Sequence, residues 1–512
     1  MSLTSVPTKN DSLENKPNGS FAMWIRKLEN HPLFATIYSL AKQSAVYFLG
    51  TALIGLGNFA LVPLYARCLG SSDFGIYALI EITLLITVTA TQMGIGTAYI
   101  RWFPETPADG LNELLGTSTV AVLLTSFAGG ILLLLIARLP GISWFASFRA
   151  FAWVLLPLVL FRSFQLFFFS VLQAWQRPVV YVIAAITRLA VLSLAGIWLV
   201  AFERRGLGGM LQSWLLADAV CFLILAAVCF RRMHLRIRTA LLRPMLSYSL
   251  PLVWTSFLAL LLDASGRFFL ARYQSLAEVG IYAVAIKLTN IPSMLFLQPF
   301  GNAWAGIAFP IAKRPNAPMT YTKILGYAFT VLMLMVALMI LFAPFLVSLF
   351  AGPGYGSVPR ILPILLLAVA LRPMEYWSCM PLYLKYKTKL VTAIYTPGLG
   401  LCLILNVLLV PRLGALGAAV AWCSALVFDV ILMTILGRRH YSLPIDSKTL
   451  GFAAGMWLFA VLASWMFNYL SSGLALTACT IVAIFFVVAS AGYFQHDFRL
   501  NRSVFAEKAY AD

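Results

Sequence analysis

Charged residues are scarce in this sequence: only 11% of its 512 residues are Asp, Glu, Lys or Arg. A soluble domain would carry roughly 25% charged residues, so the composition excludes a soluble fold. The chain has neither a Walker A phosphate-binding motif nor a GxSxG motif, which argues against direct ATP use and against a serine hydrolase. We therefore expect no catalytic residues, no cofactor and no enzymatic activity.

Candidate metal ligands are also few. The four histidines lie outside the long apolar runs, which excludes a histidine relay or zinc site inside a membrane (His31, His234, His440 and His496). The seven cysteines form no CxxC pair, and most lie within apolar runs. They are expected to be small buried side chains rather than disulfides or metal ligands.

Acidic residues are outnumbered by basic ones, 18 to 37, which gives a net charge of +19. This excess could suggest a nucleic-acid-binding protein, but the basic residues gather in short loops such as 231–238, 313–314, 385–389 and 438–440. Basic loops on one side of a bilayer are the positive-inside pattern of membrane proteins. We expect the membrane, and not a nucleic acid, as the partner of these loops.

Apolar residues make up 61% of the sequence and recur in long runs. At about 20 residues per crossing, these runs predict an all-α polytopic membrane protein with about 14 transmembrane helices. The predicted spans are 44–66, 75–100, 115–137, 148–172, 180–202, 208–230, 246–270, 279–305, 323–350, 359–384, 390–411, 414–437, 450–470 and 473–495. The basic loops follow even-numbered spans, which predicts cytoplasmic N and C termini and a location in the cell inner (plasma) membrane.

An internal repeat divides the chain. The sequence LYARCLGSSDFGIYAL at Leu64 to Leu79 matches FLARYQSLAEVGIYAV at Phe269 to Val284, with Gly75 opposite Gly280. Chance similarity between short apolar sequences is the alternative explanation. Two parallel halves of this kind are a recurring plan of secondary transporters.

The repeat predicts two pseudo-symmetric six-helix lobes, 44–230 and 246–437, joined by a basic cytoplasmic linker at 231–245. Two further helices at 450–495 lie outside the repeat. We expect residues 1–43 to form a disordered or amphipathic cytoplasmic leader and residues 496–512 to form a cytoplasmic tail.

The stretch from Asn58 through the first GIYA motif resembles the opening of the Wzx-type polysaccharide or O-antigen flippases. These belong to the multidrug/oligosaccharidyl-lipid/polysaccharide (MOP) exporter superfamily. The stretch from Leu262 through Arg267 to Tyr282 resembles the passage from helix 7 to helix 8 in the same family.

The resemblance implies two lobes that face each other in a V and alternate between inward-open and outward-open states. The implied cargo is an undecaprenyl-diphosphate-linked oligosaccharide, carried to the periplasmic leaflet for exopolysaccharide or O-antigen biosynthesis. It further implies a proton or sodium gradient as the driving force, and a polysaccharide polymerase and co-polymerase as partners.

Three other functions stay open at this point. A cation-coupled multidrug exporter of the MATE type and a lipid II-type flippase are relatives within the same superfamily. A membrane polysaccharide polymerase or ligase would be an enzyme with a large periplasmic loop, whereas the predicted outer loops here, such as 67–74 and 272–278, are short.

Ten charged residues lie inside predicted spans and away from the span ends, where each costs at least ~2.5–3.5 kcal/mol on insertion scales. A diphosphate cannot cross hydrocarbon unaided, and arginine suits bidentate phosphate contacts. We predict that five basic residues line a cargo cavity: Arg162, Arg188, Arg267, Lys287 and Arg372. A second predicted set serves ion coupling or ion pairing: Asp263, Glu81, Asp218, Gln92 and Gln298.

Within these sets, Asp263 and Arg267 are four residues apart and can pair on one helix face. Phosphate could compete for Arg267 and leave Asp263 free to take a proton or a cation, or the pair could be purely structural. Asp218 could likewise hold Arg162 and Arg188 in a buried network.

Two polar stripes are predicted from spacing. Glu81 and Gln92 are eleven residues apart, as are Lys287 and Gln298, so each pair lies three turns apart on one helix face. Coincidence among few polar residues is the alternative. Proline kinks at 292 and 299 are the predicted hinges.

Overall fold

The computed structural model describes residues 32–138, 149, 151–233, 238–312, 316–385, 387–441, 443–444, 447–467 and 472–500. Every regular element within these ranges is helical, which confirms the predicted all-α class. Most of the predicted leader, residues 1–31, and the end of the predicted tail, residues 501–512, lie outside the described residues.

The first lobe consists of α1 to α7. The first helical stretch, Pro32–Gln92, is divided at Gly70 into α1 (32–69) and α2 (71–92). The further helices are α3 Ile95–Trp102, α4 Leu111–Arg138, α5 Ala152–Ala174, α6 Pro178–Gly196 and α7 Gly206–Cys229. A π-helical turn, Ile197–Phe202, extends α6, and short 3₁₀ turns lie at Phe103–Glu105, Ala108–Gly110 and Phe230–Arg232.

The second lobe consists of α8 to α16. Its helices are α8 Thr239–Tyr273, α9 Leu276–Pro292, α10 Gln298–Ile311, α11 Ala317–Leu341, α12 Ala343–Phe350, α13 Val358–Ala370, α14 Arg372–Leu384, α15 Thr388–Leu413 and α16 Ala415–Arg438. A π-helical turn, Ser293–Leu297, joins α9 to α10, and a 3₁₀ turn lies at Pro353–Tyr355. Two more helices follow, α17 Ser447–Phe467 and α18 Ser472–Leu500.

Twelve helical stretches of the described chain are long and apolar enough to cross a membrane, so this is a multi-pass membrane protein. The predicted count of 14 is not established by them, for two reasons. The stretch Gly55–Gln92 counts once although it contains a kink, and the predicted span 359–384 consists of two 13-residue helices, α13 and α14. A crossing needs about 20 residues, so neither short helix qualifies alone.

Both interruptions have a local cause. Gly70 has φ 72° and ψ 172°, a backbone conformation that only glycine adopts without strain, so α1 ends there. Between α13 and α14, Pro373 has no backbone N–H, so the helical hydrogen bond that this position would donate to the preceding turn is missing.

The repeated glycines pack against each other where the two lobes meet. A Cβ atom on Gly75 would lie 1.9 Å from the carbonyl oxygen of Leu276, and a Cβ atom on Gly280 would lie 2.0 Å from the carbonyl oxygen of Ser71. Ser71 and Leu276 are themselves matched positions of the repeat, so the contact is reciprocal. Helices α2 and α9 approach backbone to backbone here, which requires residues without side chains.

The outer surface is apolar, as a lipid-facing surface requires. Leu194, Phe202 and Ile481 are 70%, 72% and 68% exposed. In water such side chains would be costly to expose, whereas lipid tails are as apolar as they are. Charged residues of the spans such as Asp218, Arg267 and Asp429 are instead buried inside the molecule.

Candidate functional site

Two adjoining cavities lie between the lobes. The first, which we name the cationic cavity, has a volume of about 380 Å³ and is bounded by α1, α2, α5, α6, α7 and, from the second lobe, α9. The second, the amide cavity, has a volume of about 330 Å³ and is bounded by α1, α9, α10 and the π-helical turn. Asn58, Val62 and Lys287 border both, so the two cavities are direct neighbours.

A buried carboxylate fixes two arginines at the wall of the cationic cavity. The Nε atom of Arg162 lies 2.8 Å from Asp218 Oδ2, and the Nε atom of Arg188 lies 2.6 Å from Asp218 Oδ1. The Asp218 side chain is fully buried, and both arginines border the cavity. Because only Nε of each guanidinium is engaged by Asp218, the terminal amino groups remain available to a ligand.

Aromatic side chains pack against Arg162 and its neighbours. The guanidinium of Arg162 lies 4.4 Å from the centroid of the Trp214 ring, a cation–π contact. Trp214 in turn packs on Tyr77, the tyrosine of the first GIYA motif, with ring centroids 5.3 Å apart. The repeated motif therefore contributes both to the contact between lobes and to the wall of the cavity.

A salt bridge crosses between the lobes within the cationic cavity. Lys287 Nζ of α9 lies 2.6 Å from Glu81 Oε1 of α2. The Tyr77 hydroxyl donates to the same carboxylate oxygen at 3.3 Å. Both charged side chains are partly exposed to the cavity, at 19% and 30%, so a ligand could reach either one.

Arg267 does not form the predicted pair with Asp263. Its side chain is buried, its Nε atom has no hydrogen-bond partner in the described part of the chain, and it lies within electrostatic range of Glu81. Asp263 Oδ1 instead accepts from Trp422 Nε1 at 2.8 Å and lies 3.5 Å from Arg372 Nη2. Partners from other helices thus outcompete the neighbour on the same helix face.

Arg372 is placed away from both cavities. Its Nη1 atom lies 2.9 Å from Glu375 Oε2, and the Tyr395 hydroxyl donates to the other oxygen of the same carboxylate. Together with Asp263, this forms an ion cluster within the second lobe, because two carboxylates lie within reach of one guanidinium. The prediction that Arg372 lines the cargo cavity therefore finds no support in this geometry.

The two predicted polar stripes differ in how much of each borders the cavities. Glu81, Lys287 and Gln298 border the cavities. Gln92 is not among the cavity residues, and its side-chain amide donates to the carbonyl oxygen of Ser163. The second-lobe stripe thus faces a cavity along its length, whereas the first-lobe stripe reaches it only at Glu81.

Sequence reasoning missed three uncharged members of the cavity walls. Asn58, Asn290 and Asn302 border the amide cavity, and only Gln298 among its four carboxamides was selected. The available signal was spacing: Lys287, Asn290, Met294, Gln298 and Asn302 recur at three or four residues. That spacing places side chains on one face of a helix.

The predicted hinge region coincides with a change of helix type. The π-helical turn Ser293–Leu297 lies between Pro292 and Pro299. π-helical turns within α-helices occur frequently at functional sites. Motion at these prolines stays a prediction. Among the residues that the structure describes, no three His, Cys, Asp or Glu side chains are placed to hold a metal ion.

Comparison with known proteins shows the family of this chain. Residues 40–311 match the profile of a family described as polysaccharide biosynthesis protein. The chain belongs to this family. A comparison with curated protein sequences gives no match.

Solved structures share the fold. The lipid II flippase MurJ in an inward closed conformation matches with a TM-score of 0.73 and 11% identity over 89% of this chain and 99% of its own. An inward-facing MATE family multidrug resistance transporter of the MOP superfamily matches with a TM-score of 0.59 and 17% identity over 75% and 94%.

A third structure, a MOP superfamily transporter from Pyrococcus furiosus described as having a binding pocket of reverse polarity, matches with a TM-score of 0.52 and 16% identity over 83% and 98%. These three structures share the fold that the resemblance implies. At these identities the structures establish the fold and not the cargo.

Proposed function

We propose that this protein is a flippase that moves an undecaprenyl-diphosphate-linked oligosaccharide from the cytoplasmic to the periplasmic leaflet of the inner membrane. The two lobes, 44–230 and 246–437, alternate access around the cavities, with 231–245 as a cytoplasmic linker and both termini cytoplasmic. A polysaccharide polymerase and co-polymerase act on the delivered cargo.

The charge of the cationic cavity carries this proposal. Arg162, Arg188 and Lys287 border it and Arg267 lies close by, against the carboxylates of Glu81 and Asp218. Four positive and two negative groups leave two positive charges. Uncompensated charge at bilayer depth is costly, and a diphosphate of opposite sign offsets that cost when it enters.

The free amino groups of Arg162 and Arg188 suit the phosphate oxygens. Guanidinium binds phosphate through two parallel hydrogen bonds and is held here in a fixed orientation by Asp218. Fixed orientation lowers the entropy cost of binding, because the side chains are already ordered in the empty cavity.

Lys287 links cargo binding to movement of the lobes. Its salt bridge to Glu81 joins α9 to α2 across the lobe boundary. A phosphate oxygen that enters the cavity competes with Glu81 for Lys287 and so weakens this link. Glu81, and separately Asp263 in the second lobe, are then the carboxylates open to a coupling proton or sodium ion.

A lipid II-type flippase is the second candidate, because lipid II carries the same diphosphate and the cationic cavity would suit it equally. A MATE-type exporter of cationic drugs suits it less, since a cavity with two excess positive charges repels a cation. No large described loop carries side chains arranged for catalysis, so a polymerase or ligase has no support in the geometry.

The experiment is a translocation assay in proteoliposomes. Purified protein is reconstituted with an undecaprenyl-diphosphate-linked oligosaccharide bearing a fluorescent label, and the labelled sugar that reaches the opposite leaflet is measured. We expect transport by the wild-type protein and a loss of roughly tenfold or more in Arg162→Gln/Arg188→Gln, since a tenfold change needs only about 1.4 kcal/mol.

Arg360→Gln is the matched control, because Arg360 is exposed and lies outside both cavities. Ethidium is tested in the same vesicles. Ethidium export without movement of the labelled sugar would contradict the proposal and support a drug exporter.

A further inference from the structure

The amide cavity has four carboxamide side chains that the protein itself does not use. Asn58 comes from α1, Asn290 from α9, and Gln298 and Asn302 from α10. All four side chains are exposed. Within the described ranges, none of these four amides makes a hydrogen bond to the protein.

Other carboxamides of the spans behave differently. Gln92 donates to the Ser163 carbonyl oxygen, and Gln274 donates to the Val410 carbonyl oxygen at 3.0 Å. Asn406 donates to the Cys402 carbonyl oxygen at 2.8 Å. Amides buried inside a membrane protein are normally satisfied in this way, because an unsatisfied polar group away from water is costly. The four free amides instead open into the cavity, where their donors and acceptors are available to a polar ligand.

Their chemistry matches a saccharide. Each carboxamide offers two N–H donors and one carbonyl acceptor without net charge, which complements hydroxyl groups that both donate and accept. Phe59 and Met294 border the same cavity and provide apolar surface for the C–H faces of a sugar ring. Among the described residues, Lys287, at the junction with the cationic cavity, is the single charged side chain on its border.

The side chains that border the amide cavity are spread along the helical stretch from α9 to α10. Lys287 and Gln298 are eleven residues apart, which corresponds to about 16 Å at 1.5 Å per residue. The π-helical turn Ser293–Leu297 lies between them, and the side chains of Asn290, Met294 and Gln298 all reach the cavity across it.

We propose that the amide cavity is the saccharide subsite of the cargo site. This inference rests on the proposed flippase function and adds where each part of the cargo binds. The diphosphate lies against Arg162 and Arg188, its sugar-linked end passes Lys287, and the first sugar residues hydrogen-bond to the four amides. The subsite takes neutral, hydroxyl-rich sugars, because the described residues on its border include no second basic side chain that could receive a sugar carboxylate.

The test measures how much the sugar adds to binding. Protein in nanodiscs is titrated with undecaprenyl diphosphate and, separately, with undecaprenyl diphosphate that carries a neutral trisaccharide. We expect the wild type to prefer the glycosylated lipid by roughly tenfold or more. In Asn290→Leu/Gln298→Met the preference falls below about 2-fold, while the affinity for undecaprenyl diphosphate is unchanged, because the diphosphate does not touch these amides.

Gln173→Met is the matched control, because this glutamine is exposed at the end of α5 and lies outside both cavities. It should keep the wild-type preference. If the double variant does not fold, Asn302→Leu alone should lower the preference by roughly 3-fold.

Two results overturn the subsite: equal binding of both lipids by the wild type, or a preference that survives in the double variant. In both cases the flippase proposal stands, since the diphosphate still binds. If neither lipid binds the wild type, the proposed function itself is wrong and the subsite is wrong with it.

Discussion

The two lobes are alike in how they touch and unlike in the charge they carry. In the first lobe, two arginines surround one carboxylate, Asp218, and both arginines reach the cationic cavity. In the second lobe, the carboxylates of Asp263 and Glu375 surround one arginine, Arg372, and this cluster lies outside both cavities. The ion cluster of the first lobe therefore has an excess positive charge, and that of the second lobe has an excess negative charge.

A matched tryptophan shows how this difference is built. Trp214 and Trp422 each lie eight residues after a glycine with positive φ at the start of the helix, Gly206 and Gly414. Trp214 offers its ring face to an arginine, whereas Trp422 donates its indole N–H to the carboxylate of Asp263. An indole can interact with a charge of either sign, because its ring face attracts cations and its N–H donates hydrogen bonds to anions.

The largest expected effect is a loss of transport when either of the two matched glycines at the contact between the lobes is replaced. Gly75→Ala and Gly280→Ala each place a methyl group within 2.0 Å of a backbone oxygen, so neither lobe can approach the other as here. Both variants should reduce transport to under about a tenth of the wild type, because packed backbone cannot yield. Gly455→Ala, with open space around it, is the control. A loss in only one variant would show that the contact is not functionally reciprocal.

Asp218→Asn is expected to have the next largest effect. It removes the charge that balances Arg162 and Arg188 at depth, and breaking a buried pair costs about 3–5 kcal/mol. Thermal unfolding in detergent measures this, with a clear drop in Tm. An unchanged Tm would mean that the two guanidinium groups need no internal counter-charge.

The roles of the arginines can be compared directly between lobes. Arg188→Gln should weaken binding of undecaprenyl diphosphate by roughly tenfold, because this guanidinium borders the cationic cavity. Arg372→Gln should change the affinity by less than about 2-fold, since Glu375 and Asp263 already engage it. Equal losses in the two variants would erase the proposed distinction between the lobes.

Asp263→Asn separates ion coupling from cargo binding. The side chain lies outside both cavities, so the affinity for undecaprenyl diphosphate should stay within about 2-fold of the wild type. Transport should lose its dependence on a proton or sodium gradient. Gradient-driven transport that persists unchanged would end a coupling role for this carboxylate.

The smallest expected effect concerns Asp429. This carboxyl group is buried in the second lobe against Gly398, and in the described chain neither of its oxygens has a hydrogen-bond partner. Asp429→Asn should therefore change the free energy of unfolding by under about 0.5 kcal/mol, or raise it, because no satisfied contact is lost. A loss of stability like that of Asp218→Asn would reveal a partner that this geometry does not show.

The sequence carried enough information for the class and the plan of the fold. Apolar runs predicted the membrane helices, because spanning a bilayer depends on local composition. The two related halves inferred from the repeated GIYA motif stay a prediction. The i, i+4 rule failed at Asp263, since a neighbour on the same helix is only one of several partners that packing can supply.

The cavity walls were only partly predictable. Charged residues draw attention inside an apolar span because each is costly there, which is why Arg162, Arg188 and Lys287 were found. The asparagines carry no charge, and only their spacing along α9 and α10 marked them. Which buried polar group is satisfied by the protein and which is left for a ligand depends on tertiary contacts, as Gln92 and Gln298 show.

The proposed function depends most on the binding of a diphosphate to Arg162 and Arg188 of the first lobe. Binding of undecaprenyl diphosphate, without any sugar, to Arg162→Gln/Arg188→Gln in nanodiscs tests this directly. We predict a loss of affinity greater than the roughly tenfold loss expected for Arg188→Gln alone, because both guanidinium groups are removed, and none for Arg360→Gln. Wild-type affinity in the double variant would contradict the cationic cavity as the cargo site.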